Sequence, residues 1–391
     1  MTDPIVKKWI LPVIVISQFF CTSLWFAGNA VLPDIIKNFG LAPGFLANLT
    51  SAVQFGFIAG TFIFALLTIA DRFSPSVVFF SCAIIAALFN SGIIMPGITS
   101  PALLLFRFFT GFFLAGIYPV GMKIAADYYQ KGLGKSLGFL VGALVVGTAF
   151  PHLLKSITAQ LPWKYVIITI SALSAIGGLT MLLLVADGPY RKPGQQLKFS
   201  AFIKGFSNKN FRSAAIGYFG HMWELYTFWA FVPVILSTHK NYYNTGLNVS
   251  LFSFLIIGGG ALACVAGGLL SQRYGAKKIA TIALTLSCCC CLLSPFFLLH
   301  PSAIVLIAFM FFWGLVVIAD SPLFSTMVAQ NVAEESRGTS LTMVNCIGFS
   351  ITIISIQLLK VLSNHIPAQY LYLVLAAGPI VGLIALVKNK S

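Results

Sequence analysis

GLLSQRYGAKK, residues 268–278, breaks two long apolar stretches with a glutamine, an arginine and a pair of lysines. On each side the chain stays apolar for about the twenty residues that a helix needs to cross a bilayer. A basic turn this short between runs of that length reads as a hairpin of two membrane helices. The same reading extends outward over all 391 residues, which are 58% hydrophobic and only 8% charged. A water-facing surface takes roughly 25% charged residues, so a soluble globular protein is excluded.

Twelve spans are expected. Their limits are near 9–36, 46–70, 76–96, 101–124, 135–157, 163–186, 211–236, 249–271, 278–299, 302–327, 339–361 and 367–387. A closed β-barrel would show short alternating segments instead, and none are present. The first apolar run is long enough to stay as a helix rather than act as a cleaved leader.

The net charge of +15 invites a nucleic-acid reading, but the placement of the charges answers it. With the N-terminus inside, Lys7, Lys8, Arg72, Lys123, Lys131, Arg191, Lys192, Lys198, Arg273, Lys277, Lys278, Arg337 and Lys390 fall on inner segments. Only Lys37, Lys155, Lys164, Lys240 and Lys360 fall on outer ones. This is the positive-inside distribution. The expectation is a multi-pass protein of the cytoplasmic (inner) membrane, with both termini cytoplasmic and no nucleic-acid partner.

The eight cysteines all lie in apolar spans. The block Cys288–Cys291 points four ways around a helix, so it cannot converge on one metal ion. These residues read as small packing groups. No metal or other cofactor is expected.

The longest polar interval, 187–210, divides the chain into two sets of six spans: an N-terminal bundle, 1–186, and a C-terminal bundle, 211–391. The two sets repeat at an offset of about two hundred residues, the mark of a duplicated transporter fold. Asp71-Arg72 recurs as Gln272-Arg273. RFFTG (107–111) ahead of Tyr118-Pro119 recurs as MFFWG (310–314) ahead of Ser321-Pro322.

These features resemble the major facilitator superfamily. The loop at 268–278 is similar to its cytoplasmic G-x-x-x-[D/Q]-R-x-G-x-[K/R]-[K/R] motif, on Gly268, Gln272, Arg273, Gly275, Lys277 and Lys278. The first copy keeps Asp71 and Arg72 but has Leu67 and Ser74 where glycines are usual. Arg107-x-x-x-Gly111 resembles the arginine motif of the family's fourth helix. The resemblance implies an all-α protein of two pseudo-symmetric six-helix bundles, with Asp71, Arg72, Gln272 and Arg273 gating one access state by bracing the halves. Span five lacks the Gly-Pro pair typical of proton-driven drug exporters, and its Gly138, Gly142 and Gly147 suit close helix packing.

A charge at membrane depth is costly and therefore functional by default. In span seven, His221 and Glu224 share a side with Gly217, Gly220 and Thr227, which suggests a protonatable site in which the two share or relay a proton. Static hydrogen bonding between helices is the plainer alternative. Arg107 cannot shed its charge, so it needs a partner, and Glu224 or an anionic substrate group is expected. Gln18, Trp25 and Asn29 of span one, with Tyr118 and Trp223, are further candidates to line a cavity. Asp34, near the outer end, and Asp320, near an inner-surface arginine, are assigned a structural or a coupling role.

No G-x-x-x-x-G-K-[ST] signature is present, so the energy source is a gradient rather than ATP. The reading is a secondary active transporter, not an enzyme, that imports a small polar or anionic organic solute with protons and works as a monomer. The resemblance to organic-anion importers points the same way. The alternatives are a transporter of a citrate-type siderophore, an amino-acid transporter, an exporter of an amphipathic compound, an intramembrane enzyme and a receptor.

Overall fold

The computed structural model describes residues 7–42, 44–129, 133–191 and 199–388; of residues 133–135, 201 and 334 it describes the backbone alone. Lys131, Lys192, Lys198 and Lys390 of the charge pattern lie outside the described residues. The described chain is helical throughout. Ten helical segments are long and apolar enough to cross a membrane. Span seven, Lys209–Tyr243, is a single 35-residue helix, and span one brings the count to twelve.

Span one departs from the expected continuous helix. It runs as Ile10–Thr22, Ala27–Ala30 and Leu32–Phe39, unwound between the pieces. Spans four and ten are also divided, into Ser100–Leu114 and Tyr118–Tyr128, and into Ala303–Ala319 and Ser321–Gln330. Both breaks fall just ahead of the repeated proline, which opens the second piece near its first position. A proline there has no N–H to lose and blocks continuation from the preceding turn.

The other spans are Phe45–Leu66, Pro75–Gly92, Leu133–Ile157, Lys164–Leu184, Val249–Tyr274, Ala276–Phe297 and Arg337–Leu362, with span twelve closing on Ala377–Lys388. In the first half, span two packs on four, three on six and four, and one on five and six. In the second, eight packs on ten, nine on twelve and ten, and seven on eleven and twelve. Adding six to each partner of the first set gives the second. The contacts between halves, five on eight and two on eleven, exchange under the same operation.

Close backbone approach fixes these pairs. A Cβ at Gly56 would drive into the Phe108 carbonyl, and one at Gly111 into the Val53 carbonyl, so spans two and four meet through small residues. The far side, opposite both termini, holds the shorter hydrogen bonds between halves; a longer one runs from Cys346 Sγ to Ile58 O at 4.0 Å. Asn248 Nδ2 donates to Ser156 Oγ at 3.0 Å, Gln357 Nε2 to Ser51 Oγ at 2.9 Å and Lys360 Nζ to Asn48 Oδ1 at 3.0 Å. Asn248 also caps span eight, its Oδ1 accepting from Leu251 N.

Spans five and eight meet between the halves through small residues. A Cβ at Gly258 would lie 3.5 Å from Ala149, and one at Gly142 would lie 3.9 Å from Ala261. Gly138 and Gly268 continue the faces of Gly142 and Ala261, and a Cβ at either meets nothing within 4 Å.

Gly56→Val and Gly111→Val are expected to wedge spans two and four apart and to cost about 3 kcal/mol or more. Thermal unfolding of the detergent-purified protein checks this, with Gly138→Ala as the variant that should leave the midpoint unmoved.

Candidate functional site

Arg107 is wholly buried. It reaches across to the unwound part of span one, where Nη1 and Nη2 donate to Leu24 O at 3.2 Å and Nη2 to Trp25 O at 2.6 Å. Nη1 also donates to Asn90 Oδ1 of span three at 2.9 Å. A broken helix strands backbone carbonyls that must be satisfied without water, and a guanidinium brings several donors in a fixed fork. Gly28 allows the approach, since a Cβ there would meet Leu49 at 2.9 Å and Arg107 Nε at 3.5 Å. The expected pairing of Arg107 with Glu224 is therefore not made. The guanidinium serves the protein's own backbone.

Glu224 stands at the matching junction of the other half. Its Oε1 accepts from Ser287 Oγ at 2.6 Å and Cys291 Sγ at 3.2 Å on span nine, and from Trp313 Nε1 at 2.6 Å on span ten. Sequence reasoning singles out none of these donors, and it gives Cys291 a packing role alone. The legible signals are the i, i+4 spacing of Ser287 and Cys291, and Trp313 standing where the first repeat has Thr110.

His221 does not face Glu224, although three residues separate them. Its Nδ1 lies 2.7 Å from Asp320 Oδ1, and each side chain is only 1% exposed. Asp320 thus pairs with a buried imidazole, not with an arginine at the inner surface. Gly217 and Gly220 explain the orientation. Gly217 lies against Phe324, and Gly220 against the Gly378 backbone, so this side of span seven packs into its own bundle.

The side of span seven that meets the first half carries Tyr226 and Trp229. Tyr226 stacks on Trp25 at 5.8 Å between centroids, and Trp229 meets Phe26 edge-on at 6.4 Å. Phe349 of span eleven lies 5.7 Å from Trp25 and 4.7 Å from Phe57. Trp25, Phe57, Tyr226 and Phe349 are all buried and fill the junction between halves. Among the described residues, Gln18 and Gln54 leave both side-chain polar atoms unpartnered, as do Trp25 at Nε1 and Asn29 at Oδ1, with Gln18 lying against Gly121 of span four. Asn29 Nδ2 donates to Thr50 Oγ1 at 2.8 Å. Tyr118 is half-buried. Trp223 turns away from the junction, donating from Nε1 to Val374 O of span twelve at 3.1 Å, so it lines no cavity here.

The remaining candidates lie near the surfaces. Asp34 pairs with Lys155 at 2.8 Å on the far side. On the side of the termini Asp71 pairs with Lys123 at 2.9 Å, and Arg191 pairs with Asp187 and donates to Phe73 O at 2.8 Å. Arg72 Nε donates to Thr68 Oγ1 at 3.1 Å, and Arg273 lies 5.3 Å over the adjacent Tyr274 ring. Gln272 is exposed. These contacts of the two loop arginines are local, so the bracing of the halves that the resemblance implies for one access state is not made among the described residues of this structure. Around Asp71 the ties join the start of the linker to the first half.

The family model of the Major Facilitator Superfamily matches residues 14–356. The chain belongs to that superfamily. It superposes on a solved structure of a mutant of the nucleoside transporter NupG with TM-score 0.72 and 16% identity, covering 98% of this chain and 100% of that one. A second, the proton:xylose symporter XylE bound to 6-bromo-6-deoxy-D-glucose, gives TM-score 0.75 and 12% identity over 98% and 95%. At these identities the likeness is one of fold. No curated protein sequence matches the chain. As a superfamily member it is a multi-pass membrane protein of transporter architecture, and the broken spans one, four and ten are where its buried polar groups gather.

Arg107→Lys should destabilise the protein by about 2–4 kcal/mol, because one ammonium cannot replace the fork that holds two carbonyls and Asn90. A lower thermal midpoint with retained helicity is the expected result.

Proposed function

We propose that the chain is a secondary active transporter of a small polar organic solute in the cytoplasmic membrane, working by alternating access with protons as the coupled ion. Its two bundles, 1–186 and 211–391, rock about the linker 187–210 as a monomer with both termini in the cytoplasm. The carrying observation is the set of unpartnered buried groups, Gln54, Trp25 Nε1 and Asn29 Oδ1, on the two spans that bring Trp25 and Phe57 to the stacked rings at the junction of the halves, with Gln18 against Gly121 within the first bundle. Each unsatisfied buried group costs about 1–3 kcal/mol, and a solute that engages them recovers part of this.

Uncharged donors and acceptors beside ring faces suit a neutral solute with hydroxyl or amide groups and one flat face. Arg107 is committed to Leu24, Trp25 and Asn90, so the anionic solutes, including a citrate-type siderophore, rank behind the neutral ones. The two fold neighbours, one described as a nucleoside transporter and the other as a proton:xylose symporter, support that order. His221, Glu224 and Asp320, buried in the second bundle, supply the protonatable groups.

Thermal shift against a panel of nucleosides, monosaccharides, amino acids and mono- to tricarboxylates should single out a neutral ring-bearing solute. A ligand at a hundred times its Kd stabilises the folded form by about 2.7 kcal/mol. Stabilisation by carboxylates alone would overturn the neutral assignment. Uptake into vesicles should then follow an imposed pH gradient with the potential clamped, and uptake indifferent to pH would remove the proton.

The far-side contacts generate a separate test. Cysteines at Ser51 and Gln357, oxidised to a disulfide, should hold the far-side contact shut and stop uptake, with recovery on reduction.

A further inference from the structure

The two carboxylates of the second bundle are treated in opposite ways. Asp320 stands at the N-cap of Ser321–Gln330, a position where an aspartate side chain ordinarily accepts from the first free N–H groups. It makes no such bond. Its backbone carbonyl accepts from Leu323 N and Phe324 N, each at 3.0 Å, and the carboxylate turns to His221. Asp320 Oδ1 and Oδ2 and His221 Nε2 are all buried without a hydrogen-bond partner, so the 2.7 Å approach of His221 Nδ1 is a close contact of the two groups rather than an aligned hydrogen bond. Glu224, by contrast, collects three donors from two other spans. A carboxylate that ties three helices together cannot change partners without loosening the bundle. One held by a single imidazole can change its charge and disturb nothing else.

Place separates them as well. Asp320 lies at the break of span ten against span eight, where Cys264 Sγ donates to Ile318 O at 3.6 Å and Gly267 faces Ala319 O, and span eight is the one that packs on span five of the other half. Among the described residues, Tyr218 of span seven lies 6.0 Å from the His221 ring, Glu224 stands one turn along the same span, and Cys264 of span eight faces the break in span ten; Cys288 and Cys291 of span nine group with Glu224, and Cys346 of span eleven with Tyr218. Span twelve contributes none over 377–387.

We infer that the coupled proton is carried by the His221–Asp320 couple, and that Glu224 is a positioning residue that holds spans nine and ten on span seven. This rests on the proton-coupled reading above. In the empty couple a neutral imidazole, its proton on Nδ1, lies against the carboxylate, and the pair carries one negative charge. A proton from water adds at Nε2, forming an imidazolium against the carboxylate with no net charge; the same N–H bond breaks when the proton leaves on the other side. An uncompensated charge resists enclosure in a dry interior, whereas a neutral pair tolerates it. Closure of the bundles over the couple therefore requires the proton.

The test uses the full chain in lipid vesicles with ¹⁵N-labelled histidine, its signals assigned through His221→Gln. At mildly acid pH the wild type should show an imidazolium signal for His221. Asp320→Asn should lose it, Asp320→Glu should retain it, and Glu224→Gln should retain it while lowering thermal stability. Asp320→Glu also guards against a folding failure of Asp320→Asn. Vesicles loaded with a pH dye and given uridine and then xylose provide the second arm, in which proton movement with either solute should fall at least tenfold in Asp320→Asn. A neutral His221 in the wild type across mildly acid to alkaline pH, or loss of its signal in Glu224→Gln but not in Asp320→Asn, overturns the inference. Solute-driven proton movement equal in wild type and Asp320→Asn overturns it too, leaving the proton-coupled reading intact. Solute uptake without proton movement in the wild type removes that reading itself.

Discussion

A hydrocarbon interior offers backbone polar groups no water, so any helix broken at that depth must find its partners within the protein. Arg107 meets this demand for span one. Its fork takes the Leu24 and Trp25 carbonyls that the unwound turn releases, and Asn90 fixes the guanidinium from span three. The break presents Trp25 and Asn29 at the centre of the molecule, and without it Trp25 would have no reason to stand among Phe57, Tyr226 and Phe349. One permanently charged side chain thus holds open the irregular backbone on which the candidate site is built.

Duplication supplied the frame and then diverged at these junctions. Both halves gather a polar centre from their first, third and fourth spans. In the first half it is a cation on the fourth span serving carbonyls of the first; in the second it is a carboxylate on the first span served by donors of the third and fourth. The position matching Arg107 is Met310, and span seven is unbroken. The cation belongs to the half whose first span is broken, as the need for donors requires. The second half, with an intact span seven, keeps its ionisable groups for another task.

The architecture was legible because it depends on length and spacing. Apolar runs of bilayer length, the basic turn at 268–278 and the shared offset all survive in the one-dimensional record, and Pro322 marked the break in span ten. The break in span one left no comparable mark, since SLWFAG reads as one apolar run with its neighbours. Partnership was the harder matter. Helical spacing says that His221 and Glu224 share a side, but not that one meets the break in span ten while the other meets span nine. The same limit hid Trp223, whose ring packs against span twelve. A helix face is written in the sequence, whereas the neighbour that covers it follows from packing of the whole bundle.

The energetics of the junction suit a molecule that has to change sides. On the far side the halves are joined by uncharged hydrogen bonds and one from Lys360. At a net of about 0.5–1.5 kcal/mol for each ordinary bond, three such contacts amount to a few kcal/mol, the size of gap across which a ligand can shift a two-state population. A strong ion pair there would lock one state. The stronger groupings, Arg107 with its carbonyls and Glu224 with its three donors, lie inside a single bundle, so each half travels as a unit. Between them stand aromatic rings, whose stacked and edge-on contacts add about 0.5–1.5 kcal/mol each beyond burial, a size that a change of access state can exchange pair by pair.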